Sequence, residues 1–251
     1  MKEKIKQALE ALKLSEIKKA FTEYAEMARK ENLQYEEYLL ELLQVEIEAR
    51  KNNRIDRMMK DSKLPLEKNI KTFNRKRLPA KLNSQVSVLL EGSFIDKKEN
   101  VLAFGTPGGG KTHLLCALGQ ELIYKNKKIL FKPCNLLVQE LLIAKRELKL
   151  ARTLKQISKY DAIIIDDIGY VQQNRDEMEV FFILLADRYE RGSIMITSNL
   201  AFSDWGKIFK DPMTTAAAID RLVHHSVILD MNLTSYRLEE AKTKKDKGGK
   251  P

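Results

Sequence analysis

The spacing of apolar positions changes character along the chain. Over residues 2–60 apolar side chains recur every three or four positions: Ile5, Leu9 and Leu12, then Ile17, Phe21, Tyr24 and Ala28, then Leu39, Leu42, Leu43 and Ile47. That period places each set on one face of a helix and predicts three helices. Ser15 reads as the N-cap of the second, with Leu14 before it as a hydrophobic staple. The third begins near Tyr35. It meets neither Gly nor Pro before Pro65, so it can run on into the stretch that follows. Three such stripes bury little by themselves, so this all-α module is expected to pack on a partner or on copies of itself.

From residue 84 the pattern becomes short apolar runs alternating with helical stretches. The runs at 100–104, 128–132, 160–167, 193–197 and 227–229 read as buried strands. Between and around them, 86–90, 113–126, 135–149, 152–159, 176–189 and 215–225 read as helices. Strands alternating with helices predict an α/β fold, a parallel sheet flanked by helices. Residues 61–82 hold Pro65 and Pro79 among Lys, Asn and Arg and read as an irregular linker. The expected boundaries are a helical module at 1–64, a basic linker at 65–83, the α/β domain at 84–240 and a disordered tail at 241–251.

Charge sharpens that division. The chain has 251 residues and a net charge of +10, but the excess is local. Residues 1–49 carry a net −3, residues 50–81 a net +9, residues 82–240 none, and the tail +4. Cations of the connector, Arg54, Arg57, Lys68, Lys71, Arg75, Lys76 and Arg77, form a candidate surface for the phosphate backbone of nucleic acid; the plainer reading is a solvated face. Phe73 among them either stacks on a base or anchors the linker. No apolar run reaches the ~20 residues that span a bilayer. The N-terminus has no signal-peptide pattern, so no membrane association and a cytoplasmic location are expected. Cys116 and Cys134 lie in apolar surroundings and read as buried, reduced thiols.

The chemistry centres on Gly105-Thr106-Pro107-Gly108-Gly109-Gly110-Lys111-Thr112, which fits the P-loop pattern between a predicted strand and a helix opening at His113. Glycines let backbone amides wrap a phosphate, and the helix N-terminus adds positive potential. Lys111 is expected to reach the β- and γ-phosphates of ATP, and the Thr112 hydroxyl to sit on Mg²⁺. Asp166, ending an apolar strand, is the candidate second metal ligand. Asp167 is the candidate group that orients or activates water. Asn199 follows the next strand and either positions water beside the γ-phosphate or caps the strand end. Arg221 either pairs with Asp220 or Asp187, or projects into a neighbouring subunit's nucleotide as an arginine finger.

Four stretches in order, Gly105–Leu114, Ile163–Tyr170, Thr197–Gly206 and Ala217–His225, resemble the IstB-type transposition helper ATPases of bacterial insertion sequences. These are relatives of the DnaC-type helicase loaders within the AAA+ ATPases. The resemblance covers about residues 35–240. It implies an AAA+ P-loop core and an ATPase that forms homo-oligomers on duplex DNA. It also implies ATP held between subunits with Arg221 supplied in trans, and a partner transposase. The helicase-loader role is the alternative. Ser235-Tyr236-Arg237 keeps part of a Gly-x-Ser-Tyr-Arg ending common in the family, and by that likeness Arg237 acts on the nucleotide of its own subunit. Asp167 stands where many AAA+ proteins have Glu, and its shorter reach predicts slow hydrolysis.

Overall fold

The computed structural model describes residues 1–168, 175–200, 205 and 219–236. The chain divides into two compact units, Met1–Arg57 and Met58–Pro251. The first unit holds α1 (Lys2–Ala11), α2 (Ser15–Glu31) and most of α3 (Tyr35–Ser62). Its core is small: Ile17, Phe21 and Leu42, with Leu9, Leu14, Tyr24 and Tyr38 packed around them. The stripe expected on α3 divides, because Leu42 is buried while Leu39, Leu43 and Ile47 are exposed.

The capping expected of Ser15 is corrected. Leu14 occupies the N-cap and gives no side-chain bond. The open amides of α2 are taken instead by a residue thirty positions away: Glu16 N and Ile17 N donate to Glu46 Oε2 at 2.8 and 3.3 Å. Arg50 Nε donates to the other Glu46 oxygen at 2.8 Å, and Arg50 Nη2 to Lys13 O at 2.7 Å. Burial opposes the Glu46 charge, but the Arg50 bond and the two amides outweigh it and hold the carboxyl below its usual range.

In the second unit a short 3₁₀ turn (Arg75–Arg77) leads into α4 (Ala80–Glu91), which starts earlier than its apolar positions predicted. Pro79 at the N-cap presets the chain for helix, and no breaker follows until Gly92 closes it at φ 84°. After α5 (Ser93–Asp96) come β1 (Asn100–Phe104), α6 (Lys111–Tyr124), β2 (Ile129–Pro133), α7 (Cys134–Arg146) and α8 (Leu150–Ile157). Then follow β3 (Ala162–Ile168), α9 (Arg175–Arg188), β4 (Ser193–Ser198) and β5 (Ser226–Asp230). Residues 219–223 are helical; the expected start of that helix at 215–218 and the tail 241–251 lie outside the described residues.

All strand pairs are parallel, in the order β2-β3-β4-β1-β5. β1 therefore lies inside the sheet, between β4 and β5, although the chain leaves it for the far edge. Such a reversal opens a crevice at the carboxyl ends of the strands. Core positions of β1, β3 and β4 are almost wholly buried, as their unbroken apolar runs required. α6 is buried on most sides, and both cysteines are buried. Burial pushes the Cys116 thiol up to about 12, so it stays protonated and inert.

Candidate nucleotide-binding site

The loop between β1 and α6 has the backbone a phosphate cradle needs. Gly108 and Gly110 have φ of 80° and 91°, the left-handed region open to glycine. Gly110 is the N-cap of α6 and carries no capping side chain, so the first amides of that buried helix face the loop. Lys111 folds back, its Nζ donating to Gly105 O at 2.7 Å and Thr106 O at 2.9 Å. Burial lowers its pKa, with Asp167 and Asp166 acting in the opposite sense. Phosphate oxygens can replace those carbonyls without leaving the ammonium unsatisfied.

The two aspartates depend on an irregularity in the sheet. Between Ile165 and Ile168, β3 advances three residues while β4 advances two, from Ile196 to Ser198. This is a β-bulge, a device that re-aims side chains near sites. Asp167 sits in it at φ 67°, a conformation uncommon for a residue with Cβ. Thr197 on β4 holds both members. Its Oγ1 accepts from Asp167 N at 2.7 Å and donates to Asp166 Oδ1 at 2.6 Å. Thr112 Oγ1 donates to the same Asp166 oxygen at 2.7 Å. The pair expected to share Mg²⁺ is thus already in contact. Burial and the neighbouring Asp166 charge raise the Asp167 pKa, while Lys111 opposes them.

A cavity of about 260 Å³ adjoins the loop, lined by Pro107, Gly108, Gly109, Gly110, Lys111, Thr112, His113, Asp167, Thr197 and Asn199. Asn199 Oδ1 is buried and has no hydrogen-bond partner among the described residues. The far wall comes from the linker (Lys68, Thr72, Phe73, Asn74, Arg77, Leu78) and from Leu233 and Tyr236. Phe73 meets the His113 ring edge-on at 5.3 Å. His113 Nε2 lies 3.0 Å from Thr72 Oγ1 and 3.2 Å from Asn69 O. The linker is therefore a wall of the site. Of the two roles open to Phe73, anchoring is the one its contacts show.

The structure divides the cations expected to face DNA. Arg54 and Arg57 are exposed on α3, and Lys71 and Lys76 are exposed in the linker. Lys68 lines the cavity. Arg75 is clamped onto α4, donating to Asn83 Oδ1 at 2.8 Å and Ser87 Oγ at 2.7 Å. Arg77 Nη2 donates to Thr234 O at 2.8 Å, and its guanidinium lies 5.2 Å from the Tyr236 ring centre. Charge counting could not separate these groups, because Asn83, Thr234 and Tyr236 reach them only through the fold.

Arg221 is exposed and borders a small cleft with Asn100, Arg188 and His225, at the start of β1. The P-loop leaves the other end of that strand, so the two lie about 15 Å apart or more. Arg221 therefore stands away from the nucleotide cavity of its own chain, and the alternative partner Asp187 is taken by Arg191 at 3.8 Å. Arg237 lies outside the described residues. Thr197 was missed at the sequence level; its signal was a hydroxyl near the carboxyl end of an apolar strand, two residues before Asn199.

These residues fit ATP with Mg²⁺. The left-handed glycines leave room for phosphates, the Thr112–Asp166 pair supplies hard oxygen donors, and the Asn199 acceptor is unmatched among the described residues. No helix among the described residues is long and apolar enough to cross a membrane.

Comparison with known proteins agrees with this geometry. Residues 7–244 match the family described as IstB-like ATP binding protein. An insertion-sequence ATP-binding protein of Sinorhizobium fredii is 39% identical, over 97% of this chain and 82% of that protein. The ATP-binding protein of insertion sequence IS5376 from Geobacillus stearothermophilus is 38% identical over 98% of both. Among solved structures, the crystal structure of the DnaC helicase loader matches 65% of this chain and 96% of its own with a TM-score of 0.55. At 18% identity that likeness shows the fold alone. With a parallel sheet ordered 2-3-4-1-5, a P-loop after its inner strand and this family match over nearly its whole length, the chain belongs to the IstB-like ATP-binding proteins and has the AAA+ P-loop ATPase fold.

Proposed function

We propose that this protein hydrolyses ATP to control its own assembly on duplex DNA, and that the assembly assists a transposase encoded by the same insertion sequence. The observation that carries the reading is the division of the catalytic set. Lys111, Thr112, Asp166, Asp167 and Asn199 gather at one end of the sheet, while Arg221 is exposed at the other. A head-to-tail neighbour can bring its Arg221 to this cavity, and such an arrangement makes ATP the glue of an oligomer.

Within the pocket, Lys111 moves from the loop carbonyls to the β- and γ-phosphates. Thr112 and Asp166 would hold Mg²⁺, which would supply charge neutralisation on the phosphates. Asp167 orients the attacking water and accepts its proton, with the Asn199 amide beside it. Partnership with a transposase is supported by the relatives, which are named for the insertion sequences that carry them.

DNA contact is supported by exposed cations in two places. One is α3 with the linker after it, Arg54, Arg57, Lys71 and Lys76; the other is Arg146, Arg152, Lys155 and Lys159 on and after α7 and α8. None reads base sequence by itself, so contact with the phosphate backbone is expected. The test is assembly on duplex DNA with ATP, ADP or no nucleotide, followed by light scattering or sedimentation. Assembly with ATP alone supports the proposal. Assembly indifferent to nucleotide, or absent with all three, refutes it. If a replicative helicase and not a transposase is captured by the ATP-bound form, the helicase-loader role replaces the transposition role.

A further inference from the structure

The segment that leaves β5 runs directly across the P-loop. Met231 N donates to Phe104 O at 2.6 Å, Tyr236 N donates to Gly108 O at 3.1 Å, and Thr106 Oγ1 donates to Leu233 O at 2.7 Å. The fit is close: a Cβ on Gly105 would lie 2.2 Å from Met231 O, and one on Gly108 would lie 2.2 Å from Ser235 Oγ. Residues 231–236 are therefore a strap whose backbone is bonded to the phosphate-binding loop itself.

The strap is fastened by the linker beside it. Arg77 donates through Nη2 to Thr234 O at 2.8 Å and Thr234 Oγ1 at 3.2 Å, and its guanidinium faces the Tyr236 ring at 5.2 Å. A planar guanidinium can do both at once, which lysine cannot. Arg77 and Tyr236 both line the nucleotide cavity. The linker that carries Arg77 begins where α3 ends and is also pinned beside the P-loop, through Phe73 and through the His113 contacts with Thr72 and Asn69.

From this geometry we infer that Arg77 is a clasp between linker and strap, and that the clasp sets how fast nucleotide leaves the P-loop. Phosphates bind at Gly108 to Thr112, and the remaining walls of the cavity that can enclose the nucleoside are the linker and the strap. With the clasp shut, the nucleotide is enclosed between them. With Arg77 withdrawn, Thr234 and Tyr236 lose these contacts with the linker, and the strap can peel from Gly108. Any movement of the linker, which follows α3 in the chain, then reaches the strap through Arg77, beside the linker residues that line the cavity directly. This rests on the proposed nucleotide site and adds a regulatory role to it; Arg77 is a positioning residue and takes no part in the chemistry.

The experiment uses the full chain loaded with a fluorescent N-methylanthraniloyl ADP and chased with excess unlabelled ATP in a stopped-flow instrument. Arg77→Gln and Tyr236→Leu should each raise the dissociation rate by about tenfold, and the double variant should be no faster than either single one. Arg77→Lys should fall between Gln and wild type. A purely structural role would lower Tm without this non-additive change in rate. Unchanged rates, slower rates, or single effects that multiply in the double variant would overturn the clasp. Should Arg77→Gln fail to fold, Tyr236→Leu and Thr234→Gly decide the matter by the same rates. If wild-type protein does not bind the probe at all while correctly folded, the nucleotide site itself is wrong; if it binds and Arg77 is indifferent, only the clasp fails.

Discussion

Thr197→Val keeps the shape of the side chain and removes one hydroxyl. That hydroxyl donates to Asp166 Oδ1 at 2.6 Å and accepts from Asp167 N at 2.7 Å. A hydrogen bond to a charged group is worth about 1.5–3 kcal/mol, and an abandoned amide costs about 1–3 kcal/mol where water cannot reach it. Asp166 is half-buried and Asp167 is exposed, so the lower end applies, about 2 kcal/mol in all. At this size that corresponds to a fall in Tm of about 5 °C.

The effect on hydrolysis should be larger than the effect on binding. Without Thr197 the bulge loses the group that orients Asp166 and holds Asp167 in its left-handed conformation. Loss of a residue supporting a metal-binding carboxylate lowers activity by about 10–100-fold. The P-loop is untouched, so ATP affinity should stay within about threefold, a change worth under 1 kcal/mol. Steady-state phosphate release and equilibrium titration with labelled ATP measure the two. Thr197→Ser restores the hydroxyl and should recover most of the rate. If Thr197→Val lowers Tm but leaves kcat unchanged, the hydroxyl is structural only; if ATP binding falls in step with kcat, the bulge is not what it positions.

Three other outcomes follow from the same structure. Asp167→Asn should keep ATP binding and lose hydrolysis. In wild type the rate should fall with acid at a pH above the ordinary value of about 3.9, because the ionised form is the active one and the folded protein raises its pKa. The stability sign is opposite: a carboxyl bound more tightly to its proton when folded does not lose stability on acidification, so the Asn variant should not melt lower than wild type. Glu46→Ala should destabilise the helical unit by about 1–2 kcal/mol, read by helix circular dichroism on melting. The lowered Glu46 pKa means this stabilisation is present above its unfolded value of about 4.3 and fades as pH falls through the folded one. Neutralising Arg152, Lys155 and Lys159 together should weaken binding to unrelated duplexes equally and flatten the salt dependence by about 0.9 log unit per lost phosphate contact. A loss confined to one sequence would contradict backbone binding.

Local pattern carried much of the architecture. Unbroken apolar runs located five parallel strands, and the P-loop located the phosphate site, because both are properties of a few consecutive residues. Caps and linkers were harder. Ser15 had the right chemistry for its position, yet Glu46 reached the helix end first through a tertiary contact. Arg75 and Arg77 looked like Lys71 and Lys76 in sequence, and only their partners on α4 and the strap distinguish them.

The sequence by itself determined the phosphate cradle, the alternation that makes the parallel sheet, and the identity of Asp166 and Asp167 as the carboxylates beside it. Each is set by spacing within one short segment. Tertiary structure alone decided how those parts are aimed. The bulge in β3 depends on register with β4, Thr197 joins the site from another strand, Arg221 is sent to the opposite end of the sheet, and the strap closes on the P-loop more than a hundred residues after it. Such contacts arise from strand order and packing between distant segments, which no local pattern encodes.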